Sequence, residues 1–226
     1  MKFTELLYKI GSYIYPIRFK TVQSDFSGQL ELTWYNGKLL LDTENTNYSY
    51  GNLQKVLDKA IGEIDKEVFK TFKNILILGV AGGSVIETLY TKYKYENTID
   101  AVDIDPVILK IAEEEFKISR FKKCNFFTAD AFEFVKKSTK KYNFILIDLF
   151  IDYQIPPFIF EETFINSIKE MLDINGVILF NTIELQNKEK QNTSDFIDNF
   201  KKCFKINVLK NLEHNNTIFI IQKTNI

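Results

Sequence analysis

Residues 74–105 read NILILGVAGGSVIETLYTKYKYENTIDAVDID, and the rest of the chain is organised around them. Ile75 to Leu78 is a short apolar run that stops at a glycine cluster. Beyond it Val85, Ile86, Leu89, Tyr90 and Tyr93 share one helical face. A second apolar run, Ile99 to Val102, ends in Asp103, so the stretch reads as a βαβ unit with an acid at the tip of its second strand. A ribose site follows as an expectation. A carboxylate there accepts hydrogen bonds from vicinal hydroxyls, and the turn after the first strand brings backbone N–H groups to a ligand at a helix N-terminus. Asp103 follows Gly83 by twenty residues, the separation expected of this arrangement.

The bulk composition narrows the classes. With 226 residues and 45% hydrophobic content, the chain can bury a substantial core, and its length suits one ordinary domain with a smaller appendage. Twenty-nine basic and 30 acidic residues give a net charge of −1, so no long-range field collects a polyanion and nucleic acid is not an expected partner. The lysine groups at 136–141 and 201–202 read as solvated faces. Cys124 and Cys203 stand far apart without a second ligand nearby, which supports neither zinc nor a disulfide and points to reduced thiols in the cytoplasm. The first residues, MKFTELLYKIGSYIY, are interrupted by Glu5 and Lys9 and lack the apolar run of a signal peptide or spanning helix, so no membrane association is expected.

Taken in order, Phe3, Leu6, Leu7 and Ile10 describe a short amphipathic helix, expected to dock on the rest of the fold or on a second subunit, with a membrane surface as the alternative. Leu30 to Tyr35 and Lys38 to Leu41, joined by Asn36-Gly37, form a hairpin. A polar loop carrying Tyr48 and Tyr50 leads to a helix with Leu53, Val56, Leu57, Ala60, Ile61 and Ile64 on one face. Residues 1–66 are thus expected to form an N-terminal unit, and 67–226 the main domain. Asp105-Pro106 caps the next helix. Further strands are expected at Asn125 to Thr128, Phe144 to Ile147 and Val177 to Phe180, the last preceded by a turn at Asn175-Gly176. The tail adds a helix around Phe196 to Phe204 and two strands, Lys205 to Leu209 and Thr217 to Gln222, which a short turn makes antiparallel. A mostly parallel α/β sheet closed by an antiparallel hairpin is the class I methyltransferase-like, Rossmann-like arrangement. In such a sheet Asp103, Asp130 and Asp148, all at strand ends, converge on one crevice.

The turn Gly79-Val80-Ala81-Gly82-Gly83-Ser84 departs from GxGxxG, because Ala81 and Ser84 replace the second and third glycines, and this disfavours close approach of a pyrophosphate. A tight turn needing positive φ is its plainer reading. Together with Asp103 and Asp130 it points to an adenosyl ligand. Asp130 has a second reading as the N-cap of a helix from Ala131 to Lys136. The sole histidine, His214, reads as a surface turn residue, and no serine or cysteine has a histidine partner. Carboxylate and phenol chemistry remains, with Asp148 and Tyr48 or Tyr50 as the groups that could act on an acceptor. Pro156-Pro157 stiffens the loop after Asp148, read either as a lid or as a plain crossover into the helix Glu161 to Leu172.

The segments NYSYGNLQKVL, LILGVAGGSVIETL, AVDIDPVIL, TADAFEFV and FILIDLF, with FEETF and NGVILFN beyond them, make the chain resemble the spermidine synthase family, the polyamine aminopropyltransferases, in its shorter members. The resemblance implies an N-terminal β-unit on a methyltransferase-like domain, decarboxylated S-adenosylmethionine as donor, no metal, a small-molecule acceptor and a homodimer. By position it makes Asp103 the ribose ligand, Asp130 the adenine ligand, Asp148 the amine-activating acid and Tyr50 a substrate-side residue. Gly79, Ala81, Gly82, Gly83, Ile104 and Ala131 complete the expected cofactor site. Two positions depart. Gly82 stands where the family carries an Asp that holds the aminopropyl ammonium, and Asp148-Leu149-Phe150-Ile151-Asp152 has one residue too many between its acids. An acid at Gly82 would repel the carboxylate of intact S-adenosylmethionine by ~1 to 4 kcal/mol at ~4 Å. Its absence points to S-adenosylmethionine as donor and to methyl transfer onto a small or amine-bearing acceptor. Aminopropyl transfer ranks second, and a nucleoside-binding protein without turnover third.

Overall fold

The computed structural model describes residues 3–43, 47–151, 154–183, 187–201, 204–213 and 216–223. The chain opens with helix α1 (Phe3–Gly11) and four strands, β1 (Ile17–Ser24), β2 (Gly28–Tyr35), β3 (Lys38–Thr43) and β4 (Asn47–Ser49), which form an antiparallel sheet in that order. Asn36 and Gly37, both at positive φ, make the expected two-residue turn between β2 and β3. Helices α2 (Gly51–Gly62) and α3 (Lys66–Lys70) lead into β5 (Asn74–Leu78), followed by α4 (Ser84–Thr91), β6 (Thr98–Asp103), α5 (Pro106–Glu114), β7 (Cys124–Thr128), α6 (Ala131–Lys137) and β8 (Tyr142–Ile147). Helix α7 (Glu162–Met171), strand β9 (Leu172–Ile183), helix α8 (Asn187–Asp198) and strands β10 (Phe204–Leu212) and β11 (Asn216–Lys223) complete the chain.

The second sheet has the order β10-β11-β9-β8-β5-β6-β7. Strands β5 to β9 are parallel, whereas β11 runs antiparallel to both neighbours. This is the Rossmann-like sheet with a reversed hairpin that the strand pattern predicts. The order turns back at β5, which has β6 on one side and β8 on the other, and the crevice opens at such a switch point.

Apolar residues fill both faces. On one, Ile75, Ile77, Ile99 and Phe144 pack with α2, α4 and α5, and the same core takes in Leu30, Leu32 and Leu41 of the small sheet. On the other, Leu76, Leu78, Ile145 and Ile147 pack with α6, α7 and α8. Asp105 ties the small sheet to this body. Its Oδ1 accepts from the Val107 and Ile108 amides of α5, while its Oδ2 accepts from Ser24 Oγ at 2.5 Å and Ser27 Oγ at 2.7 Å. The expected helix cap is therefore also a clamp on the β1–β2 turn.

Several local expectations need correction. Strand β9 starts at Leu172, because Asn175-Gly176 is absorbed as an irregularity with Asn175 at φ 59° rather than forming a turn before the strand. The tail helix ends at Asp198; Phe196 and Phe200 gave the apolar pattern, but they are the buried end of α8 and the turn after it. Past Pro156, Phe158 packs on Phe132 and Phe164, and Ile159 is fully buried, so this part of the proline segment is anchored rather than a free lid. Asp152, Cys203 and His214 lie outside the described residues, and so does the side chain of Tyr48. Helix α1 buries none of its residues and turns its apolar face away from the fold.

Candidate active site

The crevice is built along one edge of five neighbouring strands, β9, β8, β5, β6 and β7. Gly79 leaves β5 at φ 93°, and a Cβ on it would stand 2.1 Å from the main-chain oxygen of Asp148. Only glycine lets these two chains approach so closely. Gly83 is constrained in the same way, at φ 81°, where a Cβ would meet Ile118. Ala81 sits at φ 46°, a left-handed conformation that costs an alanine roughly 1 kcal/mol or more, which places strain in the loop itself.

Asp103 holds that loop. Its Oδ2 accepts from the Val80 amide at 2.9 Å and the Ala81 amide at 3.2 Å, and its Oδ1 accepts from the Asp105 amide at 3.0 Å. The residue is 9% exposed, and burial outweighs the three amides in holding its carboxyl above the usual range. A carboxylate offers about four lone-pair sites, so three amides leave room for a hydroxyl donor. Ile104 follows it as an exposed apolar side chain on the crevice rim. Next to β6, Ala129 N donates to Asp103 O, which brings Asp130 to the same edge. Asp130 caps α6 through Oδ1, accepting from the Glu133 amide at 3.0 Å, so its capping reading holds. Ala131 behind it is buried.

Asp148 lies at the end of β8, its amide bonded to Leu78 O of β5 at 2.9 Å. Burial pushes its carboxyl up to about 6, while a hydrogen bond from Asn181 Nδ2 at 2.8 Å pulls the other way. The apolar neighbours contribute unequally: Leu149 packs into the core, whereas Ile151 points to solvent. Asn181, on β9, is given no role by the sequence, although it follows the run VILF as a polar residue where the pairing with β8 stops. It is 1% exposed, and its Oδ1 has no hydrogen-bond donor among the described residues.

Tyr50 is not brought to this pair. Its ring stacks on Phe116 at 4.5 Å, and its hydroxyl bonds Glu87, which is in turn paired with Arg120 at 2.7 Å. Burial and the Glu87 carboxylate both raise its pKa. Its backbone, at φ 66° and ψ −167°, occupies a region essentially reserved for glycine. Its ring and hydroxyl are thus held by Phe116 and by Glu87 of α4. Gly82 explains itself sterically: a Cβ would lie 2.9 Å from Ser49 Cβ and 3.2 Å from the Phe116 ring, so Ser49 of β4 fills the space that a side chain would need. Among the described residues no group of acids, histidines and cysteines could hold a metal.

A glycine turn, a strand-end acid and a parallel sheet with a reversed last strand define a protein of the class I methyltransferase-like fold. The profile of the spermine/spermidine synthase domain matches residues 54–222, and the chain belongs to that family. It is 36% identical to a polyamine aminopropyltransferase of Vibrio vulnificus over 113 residues, 49% of this chain and 38% of that protein. A Drosophila melanogaster homolog of the eEF1A lysine and N-terminal methyltransferase is 25% identical over 141 residues, 58% of this chain and 20% of that protein. The spermidine synthase of Thermotoga maritima superposes with a TM-score of 0.67 at 14% identity, covering 92% of this chain and 73% of that one, a likeness of fold alone. The chain spans less than two fifths of the length of these curated relatives.

Proposed function

We propose that the protein is a transferase that alkylates an amine with an adenosyl sulfonium donor, and that the group moved is aminopropyl. The carrying observation is the pair of Asp148 and Asn181 beside the glycine loop. A carboxyl with a pKa of about 6 is largely ionised at neutral pH yet basic enough to take a proton from an ammonium. The orphan Asn181 Oδ1, on the amide already bonded to Asp148, is an acceptor for a second N–H of the same amine. Asp103 and the loop amides would hold the ribose, Ile104 would lie against the adenine, and Asp130 would meet its edge. The donor supplies an electrophilic carbon attached to a sulfonium. The chain's part is to bind the nucleoside, strip the amine of its proton and hold the lone pair in line.

Family membership and the aminopropyltransferase relatives support aminopropyl over methyl transfer, the reverse of the order that the residues alone suggest. Methyl transfer stays as the second reading on one observation: Gly82 and Ser49 leave no acid in the loop to select the decarboxylated donor. Ser49→Gly combined with Gly82→Asp should move donor preference toward decarboxylated S-adenosylmethionine by about tenfold or more, read as relative kcat/KM. Gly82→Asp alone should distort the loop against Ser49. An unchanged donor ratio in the folded double variant would remove Gly82 from donor selection.

Calorimetry tests the binding half. Methylthioadenosine and S-adenosylhomocysteine are both fitting ligands, and Asp103→Asn should weaken them roughly 10- to 150-fold, the loss of one hydrogen bond to a charged acceptor. No heat with either ligand, or unaltered affinity in a folded Asp103→Asn protein, would overturn the nucleoside site.

A further inference from the structure

We propose that Arg120 is a positioning residue for the donor's tail, acting through Glu87 and Tyr50 on the Gly82 half of the glycine loop, a role that rests on the nucleoside site proposed above. Arg120 ends the single turn Ile118–Arg120 between α5 and β7, and from there it reaches two ways. One guanidinium nitrogen donates to the Phe116 carbonyl at 3.0 Å and another to Glu87 Oε1 at 2.7 Å, while its central carbon lies 4.6 Å from the Phe121 ring centroid. A guanidinium is a rigid fork, so one side chain fixes both partners. Glu87, on α4, accepts in turn from the Tyr50 hydroxyl, and the Tyr50 ring stacks on Phe116. The circuit closes: Arg120 holds Phe116 directly by its carbonyl and, through Glu87 and Tyr50, by its ring.

The two halves of the loop have different supports. Asp103 holds the first half through the Val80 and Ala81 amides, and it is the acid assigned to the ribose. The second half is held by packing. Ser49 and the Phe116 ring close on Gly82, Ile118 closes on Gly83, and Ser49 Oγ accepts from the Ser84 amide at 3.4 Å. Ser49 precedes Tyr50, whose backbone at φ 66° and ψ −167° is one that only glycine adopts readily. Such a conformation persists only where its surroundings over-determine it. Here the stack on Phe116 and the bond to Glu87 do so, and Arg120 holds both of those partners. Freeing the Tyr50 hydroxyl lets that backbone relax and draws Ser49 away from Gly82. By the resemblance, the donor's tail leaves the sulfur on the Gly82 side, so the tail feels this change while the ribose, held by Asp103, does not. As a partly exposed ion pair, Arg120 and Glu87 contribute little to stability, which leaves recognition as the property they set.

Calorimetry with two ligands separates this role from a plain structural contact. S-adenosylhomocysteine carries an amino-acid tail, whereas methylthioadenosine carries only a methyl group on the same sulfur. Arg120→Gln should weaken S-adenosylhomocysteine about tenfold, the scale of one hydrogen bond to a charged group, and leave methylthioadenosine within about twofold. Tyr50→Phe, which keeps the ring stack and removes only the hydroxyl, should give the same selective loss. Because both changes act along one path, the double variant should lose no more than either alone. Equal weakening of the two ligands, no weakening of either, or additive losses in the double variant would overturn the role of Arg120 and leave the nucleoside site standing. A parent that binds neither ligand would overturn the role and the site together.

Discussion

Asp148→Asn should leave affinity for methylthioadenosine within about twofold of the parent while depressing the single-turnover rate by ~10² to 10⁴, the range for loss of a general base. Asn keeps the shape and can still bond Asn181, so the change isolates basicity. If Asp148 merely ordered the following loop, the same variant would be nearly silent. The pH profile sharpens the distinction. A base with a pKa of about 6 must be ionised to act, so the parent rate should rise through that pH and level above it, and the variant should lack this limb.

Stability carries the opposite sign. The folded pKa is raised above the usual 3.8, so the folded state favours the protonated form. Its contribution is fully present below about pH 4 and is lost as pH rises through about 6. Asp148→Asn should therefore raise Tm at pH 8 and change it little at pH 4, with at most about 3 kcal/mol at stake. An unaltered Tm at both pH values would show that the carboxyl is not buried as described.

Gly79→Ala should be the most damaging single methyl in the protein. The added carbon would lie 2.1 Å from Asp148 O, and φ 93° is outside the comfortable range of alanine. Strain and overpacking together cost about 3 to 5 kcal/mol, or roughly 10 °C in Tm for a chain of this size, and the retreat of Asp148 should remove turnover with it. Gly82→Ala is the control. Its φ is not in the positive region and its obstruction is the Ser49 side chain, so about 1 to 2 kcal/mol is expected. Equal Tm losses in the two variants would contradict the close approach of β5 and β8.

The difference between these glycines also marks how far the sequence could be read. Local pattern carried the βαβ unit, the Asn36-Gly37 hairpin and the Asp105 cap, since each depends on neighbours within a few residues. The antiparallel end of the sheet followed from the short turn between the last two strands. Asn181 remained without a role, because a polar residue ending an apolar run gains meaning only when β9 is placed beside β8. Ser49 escaped for the same reason: its contact with Gly82 joins the small sheet to the loop across the fold. Tyr50 was placed by resemblance on the substrate side, and its bond to Glu87 on α4 could not be read along the chain. The helical period of Phe3, Leu6, Leu7 and Ile10 was legible, but which way that face points is decided by Tyr8 packing on Phe19 and Ser12 meeting Gly37 of the small sheet.

Amine alkylation at the Asp148 edge of a nucleoside site is open to a direct test by product analysis. The protein is incubated with decarboxylated S-adenosylmethionine and putrescine, and both products are identified by mass spectrometry. Methylthioadenosine and an aminopropylated putrescine are expected in equal amounts, formed by the parent and strongly reduced in Asp148→Asn. Unaltered putrescine and no methylthioadenosine, from a protein that binds the nucleoside by calorimetry, would contradict it.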